Sequence, residues 1–424
     1  MPALGAALFD SQARASPPRG RRGIRGQLVL PEDAGFNEAR SIWNAMIDRR
    51  PAMILRCAGV ADVRRGIAFA RANNLPLAVR GGGHNIAGSA LCEDGLVMDF
   101  SRMKSVRIDP VARRAYVEPG ATLADFDHEA QAFGLATPLG INSTTGVAGL
   151  TLGGGGNFGV VTSFEFALHP VGPMVYGGLV VFPLAQARDA LVKYRAASTQ
   201  MPDDLSVWAV LRLAPPLPFL PTDVHGQPVI IFANYYTGPT ANGPSAVAQV
   251  KTFGTPVGEH LGEMPFVMWQ QAFDPLLTPG SRNYWKSHNL AGIDDGLIDA
   301  LLQSIENLPS PQCEIFFGQI GGQTQRVPVN ATAYSNRDTH YAMNVHGRWE
   351  NPADDDRCIG WARAFFDAAV PFSLGSVYVN FMTQEEGGRV ADAYGPNYER
   401  LVAVKSRYDP HNLFRHNQNI RPAM

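Results

Sequence analysis

Arg80-Gly-Gly-Gly-His-Asn85 stands between two short apolar runs, residues 75–79 and 96–100, each of which reads as a buried strand. Three consecutive glycines permit positive φ and leave main-chain amides open to a closely approaching ligand. The hexapeptide is not a P-loop, which needs a terminal Gly-Lys-Ser/Thr. Nor is it a Rossmann turn, which needs GxGxxG opening into a helix; here a strand follows. By itself the segment reads equally well as a tight turn carrying a solvated histidine. The surrounding sequence shifts that balance, because residues 130–164 contain nine glycines and no ionisable side chain, ending in Gly153-Gly-Gly-Gly156-Asn-Phe-Gly159. So long an uncharged run could suggest a membrane span, but the glycines with Pro138, Asn142, Ser143 and several threonines exclude a spanning helix. It reads as loop-rich surface that becomes buried.

Composition points the same way. The 424 residues are expected to form two or three cooperating lobes, and with 45% apolar and 17% charged residues they have ample material for a large core. Lysine and arginine total 36 against 38 acids, which gives no electrostatic footprint for nucleic acid or an anionic membrane. A small molecule is the expected partner. Cys57, Cys92, Cys313 and Cys358 are isolated, without CxxC or the Cys/His spacing of a zinc site, so no metal is expected and a reducing, cytoplasmic location is the simpler assumption. Residues 1–25 read as a flexible tail lacking the apolar core of a signal peptide.

Around the glycine loops the pattern predicts small α+β units. Helices are expected at residues 39–46 and 60–72, a hairpin across Asp109-Pro110, and a helix opened by the capping-box pair Thr122 and Asp125 and stopped by Gly134. From residue 175 onward glycine thins out. Strands at 207–213, 229–236 and 314–320 then alternate with helices at 185–199, 293–304 and 354–369, predicting a sheet with helices on one face.

Gly120-Ala-Thr-Leu, Thr137-Pro-Leu-Gly140, Ser143-Thr-Thr-Gly-Val-Ala-Gly149, Leu152-Gly-Gly154 and Asn157-Phe-Gly-Val-Val-Thr162 occur in an order that resembles the PCMH-type FAD-binding domain of the berberine bridge enzyme-like oxidases. The resemblance runs from Trp43-Asn-Ala-Met-Ile-Asp48 to Asn417-Gln-Asn-Ile420. It implies a two-lobed α+β fold: an FAD-binding domain over residues 26–172, a substrate domain over 173–385 built on a mainly antiparallel sheet backed by helices, and a C-terminal segment, 386–424, returning to the first domain. It also implies FAD as cofactor, its pyrophosphate wrapped by main-chain amides, an arrangement suited to a dianion without lysine or metal. The residues carried over by the match are Arg80, Gly81, Gly82, Gly83, His84, Asn85, Gly88, Gly120, Gly140, Thr145, Gly146, Gly149, Gly153, Gly154, Gly159, Val160 and Val161, with Asn380, Asn417, Gln418 and Asn419.

His84 matches the histidine that the family joins to the 8α-methyl carbon of the flavin, a task for a neutral imidazole. Tyr378-Val-Asn380 resembles the family's Tyr-x-Asn, in which the tyrosine takes a hydroxyl proton as hydride leaves. A phenol of pKa ~10 is a poor base unless its surroundings lower that value or another base relays the proton. Tyr284-Trp-Lys286 matches a segment lining the substrate cleft, with Tyr284 and Trp285 as stacking surfaces.

The sequence departs from the family at one place. In the relatives several tens of residues separate a Gly-Leu-Thr-Leu-Gly-Gly-Gly element from an Arg-Gly-Gly-Gly-Gly-Asn-Phe-Gly element; here Gly149-Leu-Thr-Leu-Gly-Gly-Gly155 runs straight into Gly156-Asn-Phe-Gly159, as if a piece had been removed near 155/156. A second, cysteinyl flavin attachment found in some members has no counterpart. The resemblance implies an FAD-dependent oxidase that passes hydride from an alcohol, sugar or secondary metabolite to flavin, with molecular oxygen as acceptor and hydrogen peroxide as product. A flavin dehydrogenase using another acceptor and a non-catalytic binder left by the deletion are the alternatives.

Overall fold

A computed structural model describes residues 23–153 and 156–423. Residues 1–22 of the expected tail, and Gly154 among the expected cofactor residues, lie outside the described residues. The described residues form two compact units: the first comprises residues 23–130, 137–153, 156–169 and 400–423, the second residues 131–136 and 170–399.

The first unit is built on a four-stranded sheet of β1 (Gln27–Val29), β2 (Met53–Arg56), β3 (Leu77–Arg80) and β4 (Leu96–Asp99), in the order β1-β2-β4-β3. β2 and β3 both run parallel to β4, and the crossover between them is α1 (Val60–Ala72). Parallel strands buried on both faces read as continuous apolar runs rather than alternating ones. Met53, Leu55, Leu77, Leu96 and Met98 accordingly pack with Val63, Phe69 and Ala70 of α1, while Ile54, Ala78 and Val97 pack on the opposite side with Ala39 and Ile42. Asp62 sits in the first turn of α1, but its carboxylate accepts the amides of Arg25, Gly26 and Ala58 and so closes the chain's described start onto the sheet.

A second, antiparallel sheet follows in the order β5 (Val106–Asp109), β6 (Arg114–Val117), β7 (Phe164–Ala167). α2 (Leu123–Gln131) has the expected capping box: the Thr122 amide donates to Asp125 at 3.0 Å and the Asp125 amide donates to Thr122 Oγ1 at 3.3 Å. α3 (Val147–Leu152) lies within the uncharged run and ends on Gly153 in the left-handed conformation, φ +67°. The helix expected at residues 39–46 is not formed. Helical geometry stops after Phe36–Ala39, and the Trp43 amide, which a helix would direct back along the chain, donates instead to Gly83 O at 3.2 Å.

The second unit is organised by a seven-stranded, wholly antiparallel sheet of β8 (Met174–Pro183), β9 (Leu205–Leu213), β10 (Pro228–Tyr236), β11 (Gly258–Pro265), β12 (Arg282–Leu290), β13 (Glu314–Gln319) and β14 (Tyr341–Trp349), in the order β11-β8-β10-β9-β13-β14-β12. α4 (Ala187–Ser198), α5 (Asp295–Ile305) and α6 (Asp355–Ala369) pack on one face, where Tyr194 meets Phe232 at 5.3 Å and His288 stacks on Phe366 at 4.1 Å. The C-terminal passage into the first unit begins at Arg400 rather than at residue 386. Residues 386–399 stay with the second unit because Asn397 donates to Val329 O and Thr332 O, and Asn336 donates to Ala393 O. Among the described residues no helix is long and apolar enough to cross a membrane.

Candidate functional site

Two glycine loops of the first unit meet main chain to main chain. A Cβ on Gly82 would fall 2.5 Å from Gly146 N, and one on Gly146 would fall 2.5 Å from Gly82 N, so neither position admits a side chain. Gly81 lies with its Cβ position 3.0 Å from Pro119 O, and one on Gly120 would strike Phe100 O at 1.9 Å. Gly83 and Gly88 hold φ of +73° and +71°, conformations other residues rarely adopt. Gly140 is tight against Leu150, whereas Gly149 on α3 faces open space: nothing lies within 4 Å of its Cβ position. Gly149 thus has no packing reason to lack a side chain, which suits a cradle that a ligand enters.

These two glycines give contrasting tests. Gly82→Ala drives backbone apart and should weaken FAD binding by about tenfold, a typical ~1–3 kcal/mol overpacking cost. Gly149→Ala should raise the melting temperature of the ligand-free protein, since helical glycine costs roughly 0.5–1 kcal/mol relative to alanine, yet still lower FAD affinity. Calorimetry of both variants with and without FAD checks the pair; unchanged affinity in Gly149→Ala would remove it from the cradle.

Arg80 is not positioned as a cation for the cofactor. Its guanidinium donates to Ala39 O at 2.6 Å and stands 3.9 Å from Asp99, so it props up the loop from beneath. Asn85 likewise serves the loop, its Oδ1 accepting the Ser89 amide at 2.9 Å. Thr145 contributes its carbonyl to the Leu123 amide, Val160 packs on the sheet core, and Gly159 and Val161 lie half-buried beside it in sequence.

His84 is partly buried, stacked on Trp43 with ring centroids 5.2 Å apart and planes 20° off parallel, and its Nε2 lies 2.9 Å from Thr144 Oγ1. Burial lowers its pKa to about 4, so the imidazole is neutral across the physiological range. The C-terminal segment docks through Asn157, which in the sequence stands only as the first residue of Asn157-Phe-Gly-Val-Val-Thr162. Asn157 Nδ2 donates to Gln418 O at 3.1 Å, and the Ile420 amide donates to Asn157 Oδ1 at 2.8 Å. Lys405, wholly buried, donates to Asn157 O, Asp409 and Phe414 O, and Asn417 donates to Gly156 O at 3.1 Å. Asn417 Oδ1 and Asn419 Oδ1 are buried acceptors with no partner among the described residues. A buried acceptor left unpaired costs about 1–3 kcal/mol, so a ligand N–H is the fitting complement.

On the second unit, Tyr378 precedes a short turn, Val379–Phe381, rather than lying in a strand. Asn380 Nδ2 donates to its phenol oxygen at 2.8 Å. Burial raises the phenol's pKa, and Asn380 opposes that only in part, so the side chain is a protonated hydroxyl at neutral pH. Tyr378 packs edge-on to Phe381 at 5.0 Å, and Phe381 in turn meets Trp285 at 5.6 Å and Phe316 at 6.0 Å.

Tyr284 and Trp285 cannot both line one cleft, because successive strand residues point to opposite faces. Trp285 shares the helix-free face with Phe381 and with His346, 4.7 Å away. Tyr284 points at α6 instead, where its hydroxyl hydrogen-bonds Glu385 and accepts from Arg363 at 2.9 Å, and Lys286 pairs with Glu385 at 2.7 Å. It therefore ties the 383–389 segment to the helix face. The helix-free face also carries the ion pair Arg212–Glu314 at 2.6 Å, with His346 at 3.4 Å from Glu314. Burial pushes the Glu314 carboxyl up, but Arg212 and His346 outweigh it and hold its pKa at about 2. Ser287 and Asn344, directly paired across β12 and β14 and each 1% exposed, have side-chain polar atoms without partners among the described residues.

The residues present fit a flavin dinucleotide: main-chain loops that suit a pyrophosphate, a neutral histidine, and uncharged amide acceptors from the C-terminal segment. Among the described residues no group of three or more His, Cys, Asp or Glu side chains could hold a metal ion. Comparison with known proteins agrees. Family profiles described as an FAD binding domain and as berberine and berberine-like match residues 51–166 and 377–421. An FAD-linked oxidoreductase of Dictyostelium discoideum is 26% identical over 90% of this chain and 91% of its own. The (R)-6-hydroxynicotine oxidase of Paenarthrobacter nicotinovorans is 25% identical over 94% of this chain and 97% of its own. Among solved structures, a berberine bridge enzyme-like protein of Arabidopsis thaliana superimposes with a TM-score of 0.81 at 20% identity, covering 94% of this chain and 98% of that one.

Proposed function

From the premise that this chain belongs to the berberine bridge enzyme-like FAD-linked oxidoreductases, we propose that it is an oxidase of a neutral alcohol, sugar or secondary metabolite, with molecular oxygen as electron acceptor and hydrogen peroxide as product. The observation that carries this reading is the pair of facing glycine loops, which leave main-chain groups, and no side chain, at the place where Gly82 meets Gly146. Bound FAD supplies the two-electron acceptor. The protein supplies position and proton handling: loops 81–83 and 145–149 hold the pyrophosphate, and Asn417 and Asn419 accept from the polar edge of the ring system. His84 forms the covalent tether. In the second unit, Trp285 and Phe381 offer ring surfaces to the substrate, and Tyr378, with Asn380, holds the hydroxyl whose proton departs.

The neutral substrate class is supported by Ser287 and Asn344, which can both donate and accept but carry no charge. Glu314 and Arg212 on the same face already satisfy each other.

Protein incubated with excess FAD and then freed of unbound ligand should show flavin bands in the near-ultraviolet and blue. Soluble protein that remains colourless sinks the reading. After anaerobic reduction with dithionite, mixing with oxygenated buffer should restore those bands and release one peroxide per flavin; reoxidation by an artificial acceptor but not by oxygen would make the chain a dehydrogenase.

A further inference from the structure

His84 has two ring nitrogens, and a chain of hydrogen bonds from a loop sixty positions away distinguishes them. The chain starts at Asn142. The main-chain N–H of Thr144 donates to Asn142 Oδ1 at 2.9 Å, which establishes that the oxygen end of the amide faces Thr144, since an amide NH₂ cannot accept. Thr144 Oγ1 lies 2.6 Å from that same Oδ1, and because a carboxamide oxygen only accepts, the hydroxyl proton points along this line. With its proton so committed, Thr144 Oγ1 can only accept from His84 Nε2, 2.9 Å away. Nε2 therefore carries the hydrogen. In a neutral imidazole the lone pair then belongs to Nδ1, which has no hydrogen-bond partner among the described residues. Stacking on Trp43 fixes the plane of the ring, and the exposed position of Thr144 leaves the pair open to an incoming ligand.

We propose that Asn142 and Thr144 are positioning residues that hold His84 as the Nε2–H tautomer and make Nδ1 the nitrogen that bonds the flavin 8α carbon. The proposal rests on the covalent reading above. In the step, the Nδ1–C bond forms, one hydrogen leaves the methyl group and one leaves the imidazole, and two electrons with two protons pass to the isoalloxazine. The methyl carbon is oxidised and the ring system reduced; dioxygen then takes the two electrons and two protons as hydrogen peroxide.

Long-range proton–nitrogen spectra of ¹⁵N-histidine-labelled, flavin-free protein read the tautomer directly, with His84→Gln assigning the signal. A single Nε2–H pattern at pH 7 is expected in wild type, and a mixture of both tautomers in Thr144→Val. An Nδ1–H pattern in wild type overturns the proposal. Attachment is then followed by adding FAD to the flavin-free protein: Thr144→Val should slow covalent incorporation by about threefold to tenfold, the range one neutral hydrogen bond commands, at unchanged non-covalent FAD loading. Thr144→Ser should restore the rate. Nuclear magnetic resonance of the flavin peptide released by protease should show the bond at Nδ1; a bond at Nε2, or a Thr144→Val variant with the wild-type tautomer and rate, overturns the proposal. Should wild type take up FAD without any covalent bond, the earlier covalent reading fails, and the tautomer spectra alone decide the role of Asn142 and Thr144.

Discussion

Acid precipitation of the FAD-loaded protein should leave a yellow pellet, and His84→Ala should send the whole of the flavin to the supernatant. The proposed tether is His84, and the four cysteines, Cys57, Cys92, Cys313 and Cys358, are all buried. A yellow pellet from the variant would show that another residue forms the bond. The same histidine sets a pH dependence. Its pKa is lowered to about 4 by burial, so the nucleophilic neutral form persists well below the ordinary histidine range. The rate of covalent incorporation should therefore stay flat from pH 8 to about pH 5 and fall as the pH approaches 4. Stability follows the opposite accounting of protons: below about 6.5 the unfolded chain binds a proton that the folded chain refuses. Folding free energy should thus decline between pH 6.5 and 4 by up to roughly 1.4 kcal/mol per unit from this group, and His84→Ala should flatten that slope in urea titrations.

Tyr378→Phe should leave flavin content unchanged and slow flavin reduction by substrate by ~10²–10⁴-fold, as loss of a general acid–base group does. The phenol is held protonated by burial, with the Asn380 amide donating to its oxygen, so its own O–H remains to be donated. It cannot stand as a ready phenolate. Its contribution is confined to the moment when the substrate's proton moves, which is why the effect should fall on the reduction rate rather than on affinity; a neutral hydrogen bond to substrate is worth only about 0.5–1.5 kcal/mol. Asn380→Leu removes the one interaction opposing the upward shift and should slow reduction in the same direction. Anaerobic stopped-flow mixing with an accepted alcohol or sugar measures both, and a Tyr378→Phe rate within a few-fold of wild type would take Tyr378 out of the reaction.

Much of this site is legible locally. Arg80-Gly-Gly-Gly-His-Asn85, the glycines at 120 and 146, and Asn417-Gln-Asn419 are recognisable as motifs, and the glycines among them are legible because main chain that approaches other main chain closely tolerates few residue types. The capping box at Thr122 and Asp125 and the strands of the second unit are legible for a similar reason, since their determinants lie within a few positions of one another. The opposed faces of Tyr284 and Trp285 also follow from strand periodicity once β12 is recognised, but a motif match carries both residues over together.

What the sequence determined by itself is the resemblance to FAD-linked oxidoreductases, the cofactor class and the glycine, histidine and amide motifs proposed to serve it, because each is written in consecutive residues under one steric or chemical demand. Tertiary structure alone decided how they are used. It set Gly82 against Gly146, turned Arg80 away to Ala39, aimed Tyr284 at α6, buried Tyr378 so that its phenol stays protonated, and brought Asn142 and Thr144 to one nitrogen of His84. The physical reason is common to all of these: side-chain direction, burial and hydrogen-bond partnership arise between segments tens of residues apart, where local propensity has no reach and only the packed chain selects which donor meets which acceptor.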